Sequence, residues 1–282
     1  MKKIIYTFFL CFFTIAFIAV IALWFIFSAN YKRQLLKEKR TYNKIQNTLI
    51  KENTWKDTTK IVYKNKNKEK LRERQHKKKK NHNNSDISKI PDVDFNSLRN
   101  YNKDIYAWLQ IPEVNISYPV LQHEKLDNYY LTHNLDNSFG YPGCIFSETQ
   151  SKKDFSDALT VLYGHNMKNG SMFGMLHRFD NTDFSKEQYY IHIITPVSKI
   201  QYKIMASAVW GAKNIPSSFS NSTEGLINLL NSVRLNLSYK NSTTLKKRLL
   251  SEKQQMLVLS TCGSNSNSRF LIIALKQNEW RK

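Results

Sequence analysis

At 282 residues, 13% of them aromatic, the chain is long enough for one packed domain with appendages. Three cysteines, with Cys11 inside an apolar segment, exclude a disulfide-stapled scaffold and leave at least one thiol free. The formal charge of +21 is concentrated, with Tyr31 to Lys89 carrying about two thirds of it, which excludes an evenly basic surface and points to a charged appendage.

From Ile4 to Phe27 the chain is apolar apart from Thr7 and Thr14. As a helix this run would be about 36 Å long, enough to cross a hydrocarbon layer. It exceeds a signal-peptide core, and cleavage after Ala29 would put bulky Phe27 where a small residue is needed. The expected organisation is a short cytoplasmic N-terminus (1–3), a transmembrane signal-anchor helix (4–27), a basic stalk (28–90) and a folded domain (91–282). Lys2 and Lys3 precede the span, whereas Lys32, Arg33, Lys37, Lys39 and Arg40 follow it, so flanking charge alone would keep the folded domain in the cytoplasm. Long domains translocate largely regardless of that charge. The chemistry argued below decides for a single-pass protein of the cell membrane with its folded domain extracytoplasmic.

The stalk culminates in Lys77 to Lys80 followed by His82, Asn83 and Asn84. Its sparse apolar residues, among them Leu35, Ile45, Trp55 and Val62, support helix in places but no core of its own. Attraction to anionic lipid headgroups or wall polymers fits this composition. Nucleic acid does not, since the stretch carries no recognition fold and follows directly on a membrane span.

Order is predicted to begin near Ile90-Pro91-Asp92, with a short helix opening at Asp94 and continuing through Arg99. Short strand-like segments follow at Ile105–Ile111, Ile116–Leu121, Gly143–Phe146 and Leu159–Tyr163, with a helical turn around Asp127 to Tyr130. Further strands are predicted at Tyr189–Ile194, Gln201–Val209, Met256–Leu259 and Phe270–Leu275. Between the late strands, Ser222-Thr223-Glu224 resembles a helix start, and Leu226, Ile227, Leu229, Leu230 and Val233 recur at helical spacing. The fold class read from this pattern is mainly β, a closed barrel rather than a sandwich, with N-terminal helices and an inserted helix between late strands.

Two strands end in residues able to carry chemistry. Leu257-Val258-Leu259-Ser260-Thr261-Cys262-Gly263 runs an apolar strand into a thiol, and Val161-Leu162-Tyr163-Gly164-His165-Asn166 runs another into an imidazole. A cysteine nucleophile needs a thiolate, which a nearby histidine favours as base or as compensating cation, and the same histidine can protonate a leaving amine. Attack on an amide builds a negative oxygen, for which Arg269, just beyond the polar run Gly263 to Ser268, is a candidate donor.

The segment Tyr163 to Gly174 (YGHNMKNGSMFG), taken with Leu259-Ser260-Thr261-Cys262, resembles a class B sortase. Trp108-Leu109-Gln110-Ile111-Pro112, Ile116 to Val120, Asp127 to Leu131 and Gly143 to Phe146 are similar to that family as well, so the likeness covers roughly Asp92 to Lys276. The resemblance implies an eight-stranded sortase barrel and a cysteine transpeptidase. In that family reading Cys262 attacks the threonine carbonyl of an NPxT- or LPxT-like C-terminal sorting signal in a secreted protein. A cell-wall peptidoglycan amine then resolves the thioacyl enzyme. The carry-over makes His165 the general acid/base, Arg269 the oxyanion and substrate ligand, and Ser260 and Thr261 lining of the peptide groove. Gly263 follows the nucleophile where some class B members have an acidic residue, so no fourth carboxylate is assigned.

Other candidates are set aside. Cys144 reads as a buried thiol, because pairing it with Cys262 would remove the nucleophile. His123, His133, His177 and His192 lack metal-ligand spacing, and His76 and His82 belong to the stalk, so neither a catalytic metal nor another cofactor is expected. Tyr129, Tyr130, Tyr189 and Tyr190 read as packing residues. Three rival functions remain open: a cysteine peptidase in which water resolves the intermediate, a non-catalytic wall-binding scaffold, and a pilus polymerase whose acceptor is a protein lysine.

Overall fold

In the computed structural model, the structure describes residues 2–49, 90–180, 188–211, 223–235, 254–262 and 268–281. The lysine run at 77–80, His76, His82 and the polar run at 263–267 lie outside the described residues. By compactness the chain divides into Met1–Asn43 and Lys44–Lys282.

The first unit consists of most of α1 (Lys2–Leu49). Among the described residues α1 is the one helix long and apolar enough to cross a membrane. Phe12, Phe17, Leu23, Trp24 and Phe27 all stand exposed on it. So many bare aromatic and aliphatic side chains on one helix suit a lipid environment and not water. The helix continues past Ala29 into the segment expected to be stalk, so that segment starts as ordered helix.

The second unit is a β-barrel. A short helix α2 (Phe95–Arg99) is capped by Asp94, whose Oδ1 accepts from the amides of Asn96 and Ser97, both at 3.1 Å. Those bonds satisfy amides that a helix start leaves orphaned. The strands are β1 (Ile105–Ile111), β2 (Ile116–Leu121), β3 (Ile145–Phe146), β4 (Leu159–Tyr163), β5 (Tyr190–Ile194), β6 (Ser198–Gly211), β7 (Arg234–Leu235), β8 (Met256–Cys262) and β9 (Ser268–Arg281). Their order is β5-β1-β2-β3-β4-β8-β9-β6, and β5 also pairs with β6, which closes an eight-stranded ring; β7 adds to β6 outside it. Closure leaves those eight strands without a free edge.

Most pairings are antiparallel, but β2–β3 and β4–β8 are parallel. The parallel β4–β8 pair matters for function, because both strands deliver their C-terminal ends to the same rim. Both are largely apolar before they reach the rim, with Leu159, Val161 and Leu162 on β4 and Met256 to Leu259 on β8, as expected of strands covered on both faces. The inserted helix α4 (Thr223–Ser232) supplies one of those covers. Its Leu226, Leu229 and Leu230, with Val233 just beyond, pack on Leu159 and Val161 of β4, Met256 and Val258 of β8, and Leu271 and Ile273 of β9. Each such buried side chain contributes about 1.5–3 kcal/mol relative to exposure.

Elsewhere in the ring a row of polar side chains runs across β1, β5, β6 and β9. Gln110 of β1, His192 of β5, Gln201 of β6 and Asn278 of β9 are successive register partners. Asn278 Nδ2 donates to Gln201 Oε1 at 2.9 Å, and Gln201 Nε2 reaches His192 Nε2 at 3.4 Å. Among the described residues both amide atoms of Gln110 and Nδ1 of His192 are buried without a hydrogen-bond partner.

Candidate active site

β4 and β8 run in register from Leu159↔Met256 to Tyr163↔Ser260. The Gly164 amide extends this ladder by donating to the Ser260 carbonyl at 3.2 Å. His165 and Cys262 each lie two residues beyond the Tyr163–Ser260 pair on neighbouring strands. On the other side of β8, Cys262 is the register partner of Arg269, the second residue of β9. Three chain positions therefore come to one rim as neighbours, His165 just past the end of β4, Cys262 at the end of β8 and Arg269 at the start of β9.

The structure supports two sides of a cleft there. His165, Arg269, Ser260, Thr261, Tyr163 and Gly164 line it together with Asp127, Asn128, Leu131, Phe146 and Glu148. All four described side chains of the expected site thus share one cleft, and the backbone of Cys262 lies between the strands that carry them. Gly164 is required by close approach: a Cβ there would stand 2.5 Å from Ile145 Cδ1 and 2.8 Å from Phe173 Cδ2.

His165 is half-buried, and its Nε2 lies 2.6 Å from the carbonyl oxygen of Leu131. A carbonyl only accepts, so Nε2 carries the proton and, in the neutral ring, Nδ1 is the nitrogen with the free lone pair. Burial holds the His165 pKa below its ordinary value; the Leu131 hydrogen bond opposes that shift and the positive charge of Arg269 adds to it. The neutral imidazole is thereby favoured near neutral pH.

The floor of the cleft is acidic and hydrogen-bonded. Tyr163 donates to Glu148 Oε1 at 3.2 Å, and Asp127 Oδ1 accepts from the amide and hydroxyl of Thr149 at 2.8 and 2.7 Å. Burial, followed by the charge of Glu148, pushes the Tyr163 phenol up. Ser260 and Thr261 are buried, and Thr261 Oγ1 has no hydrogen-bond partner among the described residues.

Sequence reasoning did not assign Leu131, Asp127, Glu148 or Tyr163. Leu131 acts through its backbone carbonyl, which leaves no mark in the side-chain sequence. Asp127 and Tyr163 lay inside segments read as family-like, and that proximity was the available signal. Cys144 is a buried thiol outside any disulfide, with Sγ 3.6 Å from the His133 carbonyl. Among the described residues no three His, Cys, Asp or Glu side chains group as a metal site would require.

Residues 109–277 match the family model of the sortase domain. The chain belongs to the sortase family. Over 91 residues this sortase is 42% identical to sortase B of Listeria monocytogenes, a stretch that is 32% of this chain and 37% of that one. Over 113 residues it is 27% identical to sortase B of Staphylococcus aureus, covering 40% of this chain and 46% of the other. The matched stretches thus span less than half the length of either curated relative. Among solved structures, a Streptococcus pyogenes class B sortase involved in pilus biogenesis is similar with a TM-score of 0.53 at 23% identity, covering 66% of this chain and 98% of that one. A mutant form of Clostridium perfringens sortase B is similar with a TM-score of 0.52 at 24% identity, covering 65% and 86%. At these identities the solved structures speak to the fold of this sortase, and the eight-stranded barrel expected from the sequence is the fold they share.

Proposed function

We propose that this sortase is a class B cysteine transpeptidase that joins secreted proteins to the cell wall. Cys262 attacks the threonine carbonyl carbon of a C-terminal sorting signal, and the new oxyanion is stabilised by Arg269. His165 Nδ1 takes the Cys262 thiol proton as the thiolate attacks and passes it to the leaving amine as the peptide bond breaks, and a thioacyl enzyme remains. A peptidoglycan amine then attacks the thioester, His165 accepts the amine proton, and the departing Cys262 thiolate takes that proton back, which restores the neutral pair. Ser260 and Thr261 line the peptide groove. Residues 4–27 anchor the protein, 28–90 form the stalk, and 91–282 act outside the membrane.

The observation that carries this reading is the register at the rim, which makes positions 165, 262 and 269 neighbours beside a cleft lined by His165, Arg269, Ser260 and Thr261. A lowered His165 pKa supports it, since a neutral imidazole is the form that takes a proton from the acceptor amine. Peptides with NPxT-type and LPxT-type motifs, incubated with the chain and an amine acceptor, should give a threonine-linked amide detectable by mass spectrometry. That product should vanish in Cys262→Ala. Cleavage without ligation would favour the peptidase, and absence of both cleavage and thioacyl adduct would sink the proposal. Protease treatment of intact cells that leaves the folded domain untouched would refute the extracytoplasmic location.

A further inference from the structure

The nitrogen of His165 that is not free for proton transfer depends on one backbone oxygen, and that oxygen sits in an unusually crowded place. Leu131 belongs to α3 (Tyr129–Thr132), a single helical turn. Its neighbours' carbonyls are also occupied: Tyr130 O accepts from the Cys144 amide at 2.9 Å, and Thr132 O accepts from the Gly140 amide at 2.7 Å. The segment 140–144 therefore lies directly against the carbonyl end of the turn, and Gly143 is the residue in closest approach.

Gly143 adopts φ +65°, and a Cβ built there would stand 2.6 Å from Tyr130 O and 2.9 Å from Leu131 O. Both are backbone atoms, so they cannot rotate away as a side chain would. From the other side Gly143 is held by its amide, which donates to Oδ1 of the fully buried Asn134 at 3.0 Å. Asn134 is itself tied down, its amide donating to the Ser138 carbonyl at 2.9 Å and its Nδ2 to Ser138 Oγ at 3.3 Å. The glycine is thus pinned between a rigid buried asparagine and the carbonyl that His165 uses.

We propose that Gly143 is a positioning residue for the acid/base step: its missing side chain lets the Leu131 carbonyl sit under His165 Nε2 and so fixes the tautomer that leaves Nδ1 to exchange protons. A side chain at 143 displaces the Leu131 oxygen, and His165 loses both its anchor and its fixed tautomer. The effect falls on the rate of proton transfer and not on peptide binding, because Gly143 is absent from the lining of the cleft. This inference rests on the transpeptidase reading, in which His165 moves the proton.

The test uses the full chain in detergent, with steady-state kinetics on a sorting-signal peptide and an amine acceptor. Gly143→Ala should lower kcat about 10- to 100-fold while KM for the peptide stays within about twofold. The limb of its rate–pH profile due to His165 should move to lower pH, because a hydrogen bond that favoured the protonated ring is gone. Gly143→Asn separates two causes, since asparagine tolerates a left-handed φ yet still carries a Cβ. Loss in both variants supports the proposal, whereas an Asn variant at wild-type kcat would reduce the effect to backbone strain and overturn it, as would an Ala variant with unchanged kcat. Should neither variant fold, imidazole 15N spectra of the wild-type chain decide, with His165 assigned by its absence in His165→Gln. An Nε2–H tautomer near neutral pH is expected, and an Nδ1–H tautomer overturns the proposal. An inactive wild-type chain with the Nε2–H tautomer would fault the transpeptidase reading alone.

Discussion

Lowering the pH should destabilise this barrel through His192. The side chain sits on β5 with 7% of its surface exposed, it meets only Gln201 Nε2 at 3.4 Å, and its Nδ1 has no partner among the described residues. Burial pushes its pKa down from 6.5 to about 4. In the unfolded chain the ring protonates near its ordinary value, so between these two pH values the unfolded state binds more protons and stability falls as pH falls. Above about pH 6.5 the ring is neutral in both states and contributes nothing to the pH dependence. Below it the loss grows by about 1.4 kcal/mol per pH unit and levels off near pH 4 at about 3 kcal/mol. Urea unfolding followed by tryptophan fluorescence at pH 7 and pH 4 measures this, with His192→Gln as the reference that keeps a neutral polar group but cannot titrate. Carboxylates common to both proteins cancel in the difference. Wild type should lose about 3 kcal/mol more than the variant over that interval, and parallel losses in the two proteins would refute the reasoning.

Other perturbations act nearer the cleft. Gly164→Ala forces a methyl against Ile145 and the fully buried Phe173; it should cost about 1–3 kcal/mol in urea unfolding and lower peptide turnover, because the displaced residue adjoins His165. Arg269→Gln removes a cation that disfavours the charged imidazole, so the His165 pKa, read by NMR titration and not by activity, should rise. Asn102→Ala deletes a buried amide that donates to the Leu135 carbonyl at 3.0 Å and accepts from the Asp104 amide at 2.9 Å. That change should cost about 1–3 kcal/mol, measured as a shift in the unfolding midpoint.

How much of this was legible in the sequence depended on whether a feature is local. β1, β2 and β4 stand where the apolar runs bounded by Pro, Asn and Gly put them, and α4 stands where Leu226, Leu229, Leu230 and Val233 recur at helical spacing. β9 runs on to Arg281, through Gln277, Asn278 and Glu279, which carry no strand signal of their own. Pairing with β6 from Ser198 to Lys203 holds them, a tertiary effect overriding weak propensity. Similarly, β8 continues through Ser260 and Thr261 to Cys262, where the apolar pattern stops at Leu259. His165 and Arg269 were readable as residues able to carry chemistry. The parallel β4–β8 pairing that makes them neighbours of position 262 was not readable from periodicity. The Leu131 carbonyl, the Gly143 contact and the acidic floor of Asp127 and Glu148 belong to tertiary geometry, and no spacing in the chain announces them.

The ring order also sets a timetable for the newborn protein. Among the described elements, β4, ending just before His165, leaves the ribosome with β5, β6, α4 and β7 still to come before its partner β8, and β9 follows β8. β9 is also the strand that joins β8 to β6, so the barrel is sealed only by the element that brings Arg269. Such non-local pairing is slow to form. An unfinished chain therefore holds His165 without Cys262 or Arg269, and sealed barrel and complete cleft arrive in a single event. A chain cut short before β9 lacks both the seal and the Arg269 side of the cleft.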